Sequence, residues 1–198
     1  MVKMNNLYVD KKVINIIDDN KDLDFSLKDD QMLVINMFFN SIKDIKINVN
    51  QESNSYIVIN YSGYVYENAN IAINCNIRGN NNKAVINVRT ISESGHGNYG
   101  ASVFASSNSK NNDIIEDLKA INENGSITFM PILKIDTNDV IAEHFATIGG
   151  INEEELFYLE SKGISKEKGK EIIKKKFITN LFSSEFKQML EKGKEQDE

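Results

Sequence analysis

A chain of 198 residues is long enough for one or two small domains that bury a core of their own, so it needs no disulfide staples. Its single Cys can form neither an intrachain disulfide nor a Cys-rich zinc site, and 40% hydrophobic with 26% charged residues is a globular composition rather than a disordered or membrane one. The 23 Lys+Arg against 29 Asp+Glu leave a net charge of -6, which disfavours a phosphate backbone and excludes nucleic acid from the expected partners.

The first residues, Met1 to Asn6, carry no apolar run, and Asp10, Lys11 and Lys12 interrupt the next stretch. No signal peptide is expected there, and nowhere does the sequence approach the roughly 20 apolar residues of a bilayer span. The expectation is a cytoplasmic protein with no membrane partner.

From there to about Gly150 apolar residues recur with period two, the mark of strands with one buried face. Leu23, Phe25 and Leu27 alternate with Asp24 and Ser26; Ile45, Ile47 and Val49 alternate with Lys46 and Asn48. Ile71, Ile73, Cys75 and Ile77 alternate with Ala72, Asn74 and Asn76, which places the Cys75 thiol in the core. Turn-rich clusters (Asp18 to Asn20, Asn50 to Asn54, Gly79 to Asn82, Asn108 to Asn112) separate the runs. Short strands at this spacing fit a sandwich, a barrel or a β-helix, and no exact repeat decides among them. Asn ladders at the corners of a coil would suit the last; ordinary loops would contain the same residues.

Gly95-His96-Gly97-Asn98-Tyr99-Gly100 matches G-x-G-x-x-G letter for letter. That pattern binds a dinucleotide only where a helix begins at its end, and Ala101 to Asn112 has no helical period, so the segment reads as a Gly-rich loop of a β domain. His96 then lies on the surface. No Gly-Lys-Ser/Thr loop and no G-x-S-x-G elbow is present, and two His with one Cys do not make a complete metal site.

Val140 to Gly149, containing Glu143 and His144, joins the β region to a change of period. Asn152 precedes Glu153, Glu154 and Glu155 as the N-cap of a short helix that Gly163 closes, and Ser165 caps a second helix with Ile173, Phe177 and Leu181 on one face. Ser183 or Ser184 starts a last piece with Phe186, Met189 and Leu190 before a charged tail. The Lys-rich face of these helices is interleaved with Glu167, Glu171 and Glu185, as on a solvated surface, while their apolar stripe is suited to a partner. The expected organisation is a β domain over residues 1–150 and a helical subdomain over 151–198.

His144-Phe145-Ala146-Thr147-Ile148-Gly149, the acidic Glu153 to Glu155, and Leu156-Phe157-Tyr158-Leu159-Glu160-Ser161-Lys162-Gly163-Ile164 closely resemble the C-terminal signature of the SufB/SufD family of SUF iron–sulfur cluster assembly. That signature reads H-x-A-T-x-G, a short acidic linker, then L-F-Y-L-x-S-R-G-I. Ile127 to Ile135 with Asp139-Val140 is similar to the family's approach to the same histidine, and Asp113 to Ile121 to its preceding coil.

The resemblance implies a right-handed parallel β-helix capped by C-terminal helices, a choice periodicity leaves open. It implies a non-catalytic scaffold or accessory subunit, working with a SufC-type ATPase of the ABC class and pairing with a SufB/SufD-like subunit or with itself. His144, with Glu143 beside it, then matches the position implicated where a nascent iron–sulfur cluster assembles, transiently and shared with the partner. Ile172, Phe182, Phe186 and Met189 become the candidates for the ATPase contact, with Ile173, Phe177 and Leu181 turned inward.

Three departures qualify the resemblance. The chain is shorter than usual, without the family's N-terminal helical domain and several coils. Phe145 stands where SufB-like members have a second Glu, no Cys precedes His144 where SufB carries its cluster-building thiol, and Lys162 replaces Arg. These favour a SufD-like or reduced member. The alternative is a β-helical interaction module that has lost cluster chemistry, and an independent enzyme ranks third.

Overall fold

Side chains of successive strand residues point to opposite faces, so a run such as Ile45-Lys46-Ile47-Asn48-Val49 has an apolar face that must be covered. In the computed structural model, which describes residues 2–4 and 7–194, that cover comes from coiling. One parallel sheet holds, in spatial order, β2 (Leu7–Ile17), β4 (Gln31–Phe39), β6 (Tyr56–Val65), β8 (Lys83–Ser92), β10 (Asn112–Asn122) and β12 (Val140–Gly149). At its far side β1 (Val2–Met4) pairs antiparallel with β2. The second sheet holds β11 (Ser126–Ile135), β9 (His96–Ala105), β7 (Ala69–Ile77), β5 (Ile45–Gln51) and β3 (Leu23–Leu27), all parallel. Since every second strand is a neighbour, the chain winds as a parallel β-helix of about five turns.

Register then turns local alternation into continuous rows. Ile14, Ile35, Ile59 and Ile86 stand in line across β2, β4, β6 and β8, the last three fully buried. On the facing sheet Phe25, Val49, Cys75, Val103 and Leu133 do the same. Cys75 is buried with Ile71, Ile73 and Ile77, as the alternation requires. Each such isoleucine contributes about 1.5–3 kcal/mol by leaving water.

The polar rows are ladders too. Asn36 donates to Asn15, Asn60 to Asn36 and Asn87 to Asn60, each at 2.9 Å. At one corner Asp30, Asn54, Asn81 and Asn111 all adopt positive φ (61°, 56°, 56° and 53°), which Asx residues tolerate. Asn111 donates to Asn81 and Asn81 to Asn54. Rungs of the first ladder are separated by 21, 24 and 27 residues, and the paired Asn87 and Asp117 by 30, so the coil lengthens as far as β10 and shortens to 28 residues between β10 and β12.

The Gly-rich segment is a strand, not a loop: β9 starts at His96, and Gly97 faces the bore where a Cβ would come within 2.8 Å of Ile127 and 2.9 Å of the Tyr99 ring. Glycine is there to admit an aromatic neighbour.

Three helices complete the chain, α1 (Glu153–Ser161), α2 (Lys166–Thr179) and α3 (Ser184–Lys194), with Asn152 and Ser165 as the N-caps of α1 and α2 and Gly163 at φ 84° after α1. They cover the outer face of the seven-stranded sheet, where Phe38, Ile91 and Ile121 form an apolar patch with Leu156, Ile173 and Ile178. Lys174 fixes α2 to the sheet through Glu93 (2.9 Å) and Glu123 (3.5 Å), and all three side chains are largely shielded. Phe182 and Phe186 are therefore not on a partner surface. They are 5% and 1% exposed and stack edge-to-face at 4.7 Å, because the sheet's apolar patch claims them. Ile172 and Met189 remain outside. Among the described residues no helix is long and apolar enough to cross a membrane.

Ile59 sits mid-row with buried neighbours on both sides, so Ile59→Ala leaves a cavity that adjacent coils cannot close. We expect a loss of about 2–5 kcal/mol in urea unfolding, against under about 0.5 kcal/mol for Val13→Ala at the exposed Val13.

Candidate functional site

The isoleucine row does not end in isoleucine. After Ile86 the next in-register residue is Glu116 on β10, and after it His144 on β12. Glu116 shares its inward phase with the buried Ile114 and Leu118, and His144 shares its own with Val140 and Ala142, which pack against the core. The apolar bore thus closes on a carboxyl group and an imidazole one strand apart, about 4.8 Å between backbones.

Their surroundings differ. Glu116 is 0% exposed and neither carboxyl oxygen has a hydrogen-bond partner among the described residues. Burial pushes its carboxyl up to about 8, so at neutral pH the proton occupies the place that a partner would. His144 is exposed, on a strand that no further strand covers among the described residues, and flanked on its own face by Ala142 and Ala146. Small neighbours leave room for a ligand at the ring.

Glu143 does not join them. Adjacent strand residues point to opposite faces, so it lies on the outer side of the sheet from His144, and it cannot orient that ring. Among the described residues no group of three or more His, Cys, Asp or Glu stands close enough to hold a metal ion alone. The thiol of Cys75 is pushed up to about 12, first by burial and then by the Glu116 charge, and it donates to Gln51 Oε1 at 3.2 Å, so it is no nucleophile at neutral pH. Glu116 is the residue missed from the sequence. Its phase with Ile114 and Leu118 was the available signal.

The end coil also leaves apolar groups in water: Ile141, Phe145 and Ile148 on β12, and Met130 and Ile132 on β11. Both strands are edges ten residues long, with a row of unpaired backbone groups. On the helices Phe157 (72% exposed) and Tyr158 lie uncovered on α1, two groups that sequence reasoning did not single out as contacts.

Residues 41–177 match the family described as SUF system FeS cluster assembly, SufBD core domain, which takes in the coils from β5 onward, Glu116, His144 and the first two helices up to Phe177. None of the curated proteins matches the chain.

Glu116 makes stability pH-dependent with a definite sign. Its carboxyl binds a proton more tightly folded (about 8) than at its ordinary 4.5, so the stabilisation is complete below pH 4.5 and is lost as pH rises through 8. The slope is at most about 1.4 kcal/mol per pH unit. Urea midpoints of the wild type should fall between pH 5 and pH 9, whereas Glu116→Gln should be flatter and overtake it at the alkaline end.

Proposed function

The chain belongs to the SufBD core-domain family and so to SUF iron–sulfur cluster assembly, and from that premise we propose that it is a scaffold subunit, non-catalytic toward the cluster, presenting His144 and Glu116 to the iron of a nascent cluster. The observation that carries this reading is the pairing of an open-edge imidazole with a buried, unpartnered carboxyl at the end of an otherwise apolar row. Neutral imidazole and carboxylate are both iron ligands, and a metal arriving at Glu116 displaces its proton. Two ligands are too few to hold a cluster, so the remaining ones come from a second subunit and the cluster is bound transiently across the interface.

The edges support the pairing. Two ten-residue strands with exposed apolar side chains are the kind of end that another sheet covers. A SufB/SufD-like subunit or a second copy, docked there, would bring its own ligands to His144. The helices serve the other partner, a SufC-type ATPase, through their uncovered apolar groups: Ile172 and Met189, with Phe157 and Tyr158 extending the surface onto α1. Lys175–Glu191 and Lys168–Glu171 ion pairs rim it, as polar groups rim a docking site.

His144→Ala should remove most of the cluster chromophore formed on anaerobic reconstitution of the assembled complex with iron and sulfide, with ATPase binding unchanged; an undiminished chromophore favours the interaction-module reading. For the helices, removal of everything after Gly163 would strip the cover from Phe38, Ile91 and Ile121, so point variants are cleaner. Ile172→Glu with Met189→Glu should weaken ATPase capture at least tenfold while shifting stability by under about 1 kcal/mol.

A further inference from the structure

On the outer face of the five-stranded sheet, away from the row that ends in His144, a hydrogen-bonded chain runs from Asp44, just before β5, across the three strands β7, β9 and β11. Asn70 donates to Asp44 Oδ1 from its backbone N–H (2.7 Å) and its Nδ2 (3.4 Å). Asn98 Nδ2 donates to Asn70 Oδ1 at 3.1 Å, His96 Nε2 meets Asn98 Oδ1 at 2.8 Å, and His96 Nδ1 meets Ser126 Oγ at 2.6 Å. Its direction is set from one end. An ionised Asp44 only accepts, so Asn70 must turn its amide N–H to it and its oxygen to Asn98. Asn98 in turn presents its oxygen to His96, which places the imidazole proton on Nε2. Nδ1 is left as a lone pair facing the Ser126 hydroxyl.

That arrangement is a nucleophile, a base and an orienting group in series. A fourth element comes from the strand. The Ser126 N–H is used on Gly95 O at 3.0 Å, toward the neighbouring coil. Backbone groups of successive strand residues point to opposite sides, and β11 is an edge, so the N–H of Ile127 faces the unpaired side, immediately after the nucleophile. Ser126 itself is exposed, at the first position of β11 after Gly125.

We propose that Ser126 is an activated nucleophile that accepts acyl groups from small esters, with His96 as general base and Asn98, Asn70 and Asp44 as positioning residues. Ser126 Oγ adds to the carbonyl carbon while its proton passes to His96 Nδ1, and the oxyanion formed meets the Ile127 N–H. Collapse breaks the bond to the alcohol, which leaves with the proton from His96. Water then attacks the acyl-serine by the same proton route, restoring Ser126 and releasing the carboxylic acid. The open surface admits small acyl donors and offers no pocket for a specific side chain.

The probe is p-nitrophenyl acetate, with p-nitrophenolate release followed optically and the acetyl group located by peptide mass spectrometry on the full chain. The wild type should carry acetyl on Ser126 well above any other exposed serine. Ser126→Ala should lose it, and His96→Gln should form it at least about 100-fold more slowly. Asn98→Leu removes the acceptor for Nε2–H and should slow acetylation and displace its pH profile, although circular dichroism shows the variant folded. Acetylation of Ser126 no faster than that of other serines, or equal rates in His96→Gln, overturns the assignment.

Discussion

In-register stacking of one coil on the next is the constraint on which the rest of the molecule depends. Each strand has an apolar face too narrow to form a core alone, and only when Ile35 stands on Ile14, Ile59 on Ile35 and Ile86 on Ile59 is that face removed from water. A slip by one residue would turn every isoleucine outward and every Asn rung into the bore. The Asn ladders and the repeated positive φ at one corner hold that register from outside, since each rung bonds only to the rung one coil away. The polar groups within the bore, Gln51 and Thr90, are hydrogen-bonded there, whereas Glu116 and His144 stand at the end of the isoleucine row.

The strands and helices were legible residue by residue because their signals are local. Ile71-Ala72-Ile73-Asn74-Cys75 declares a strand, and Asn152 before three Glu declares a helix start. The coil was not legible in the same way, because its signal is a period and the period drifts: 21 residues from Asn15 to Asn36, then 24, 27 and 30. A solenoid whose turns change in length has no self-similarity for the eye to find, and the choice of β-helix came from the His144 to Ile164 resemblance instead.

The misplaced site residues share one cause. Glu143 reads as a partner of His144 because the two are adjacent in sequence, which in a strand is the arrangement that separates side chains. Glu116 is lost among the charges of Asp113 to Lys119 because its neighbour across the sheet, 28 residues later, is visible only once the register is known. Phe182 and Phe186 read as free because the patch they cover, Phe38, Ile91 and Ile121, is assembled from three separate coils. In each case the sequence shows the group and the fold supplies its companion.

The antiparallel pairing of β1 with β2 gives the solenoid a direction. Among the described residues the parallel stack stops there, at a three-residue strand running the wrong way for another coil, and the matching edge of the other sheet is the five-residue β3. The opposite end offers two strands of ten residues. The two ends therefore differ in how much backbone they present to another strand. A pair joined through the long edges would turn only the short ones outward, a geometry that disfavours the addition of further copies.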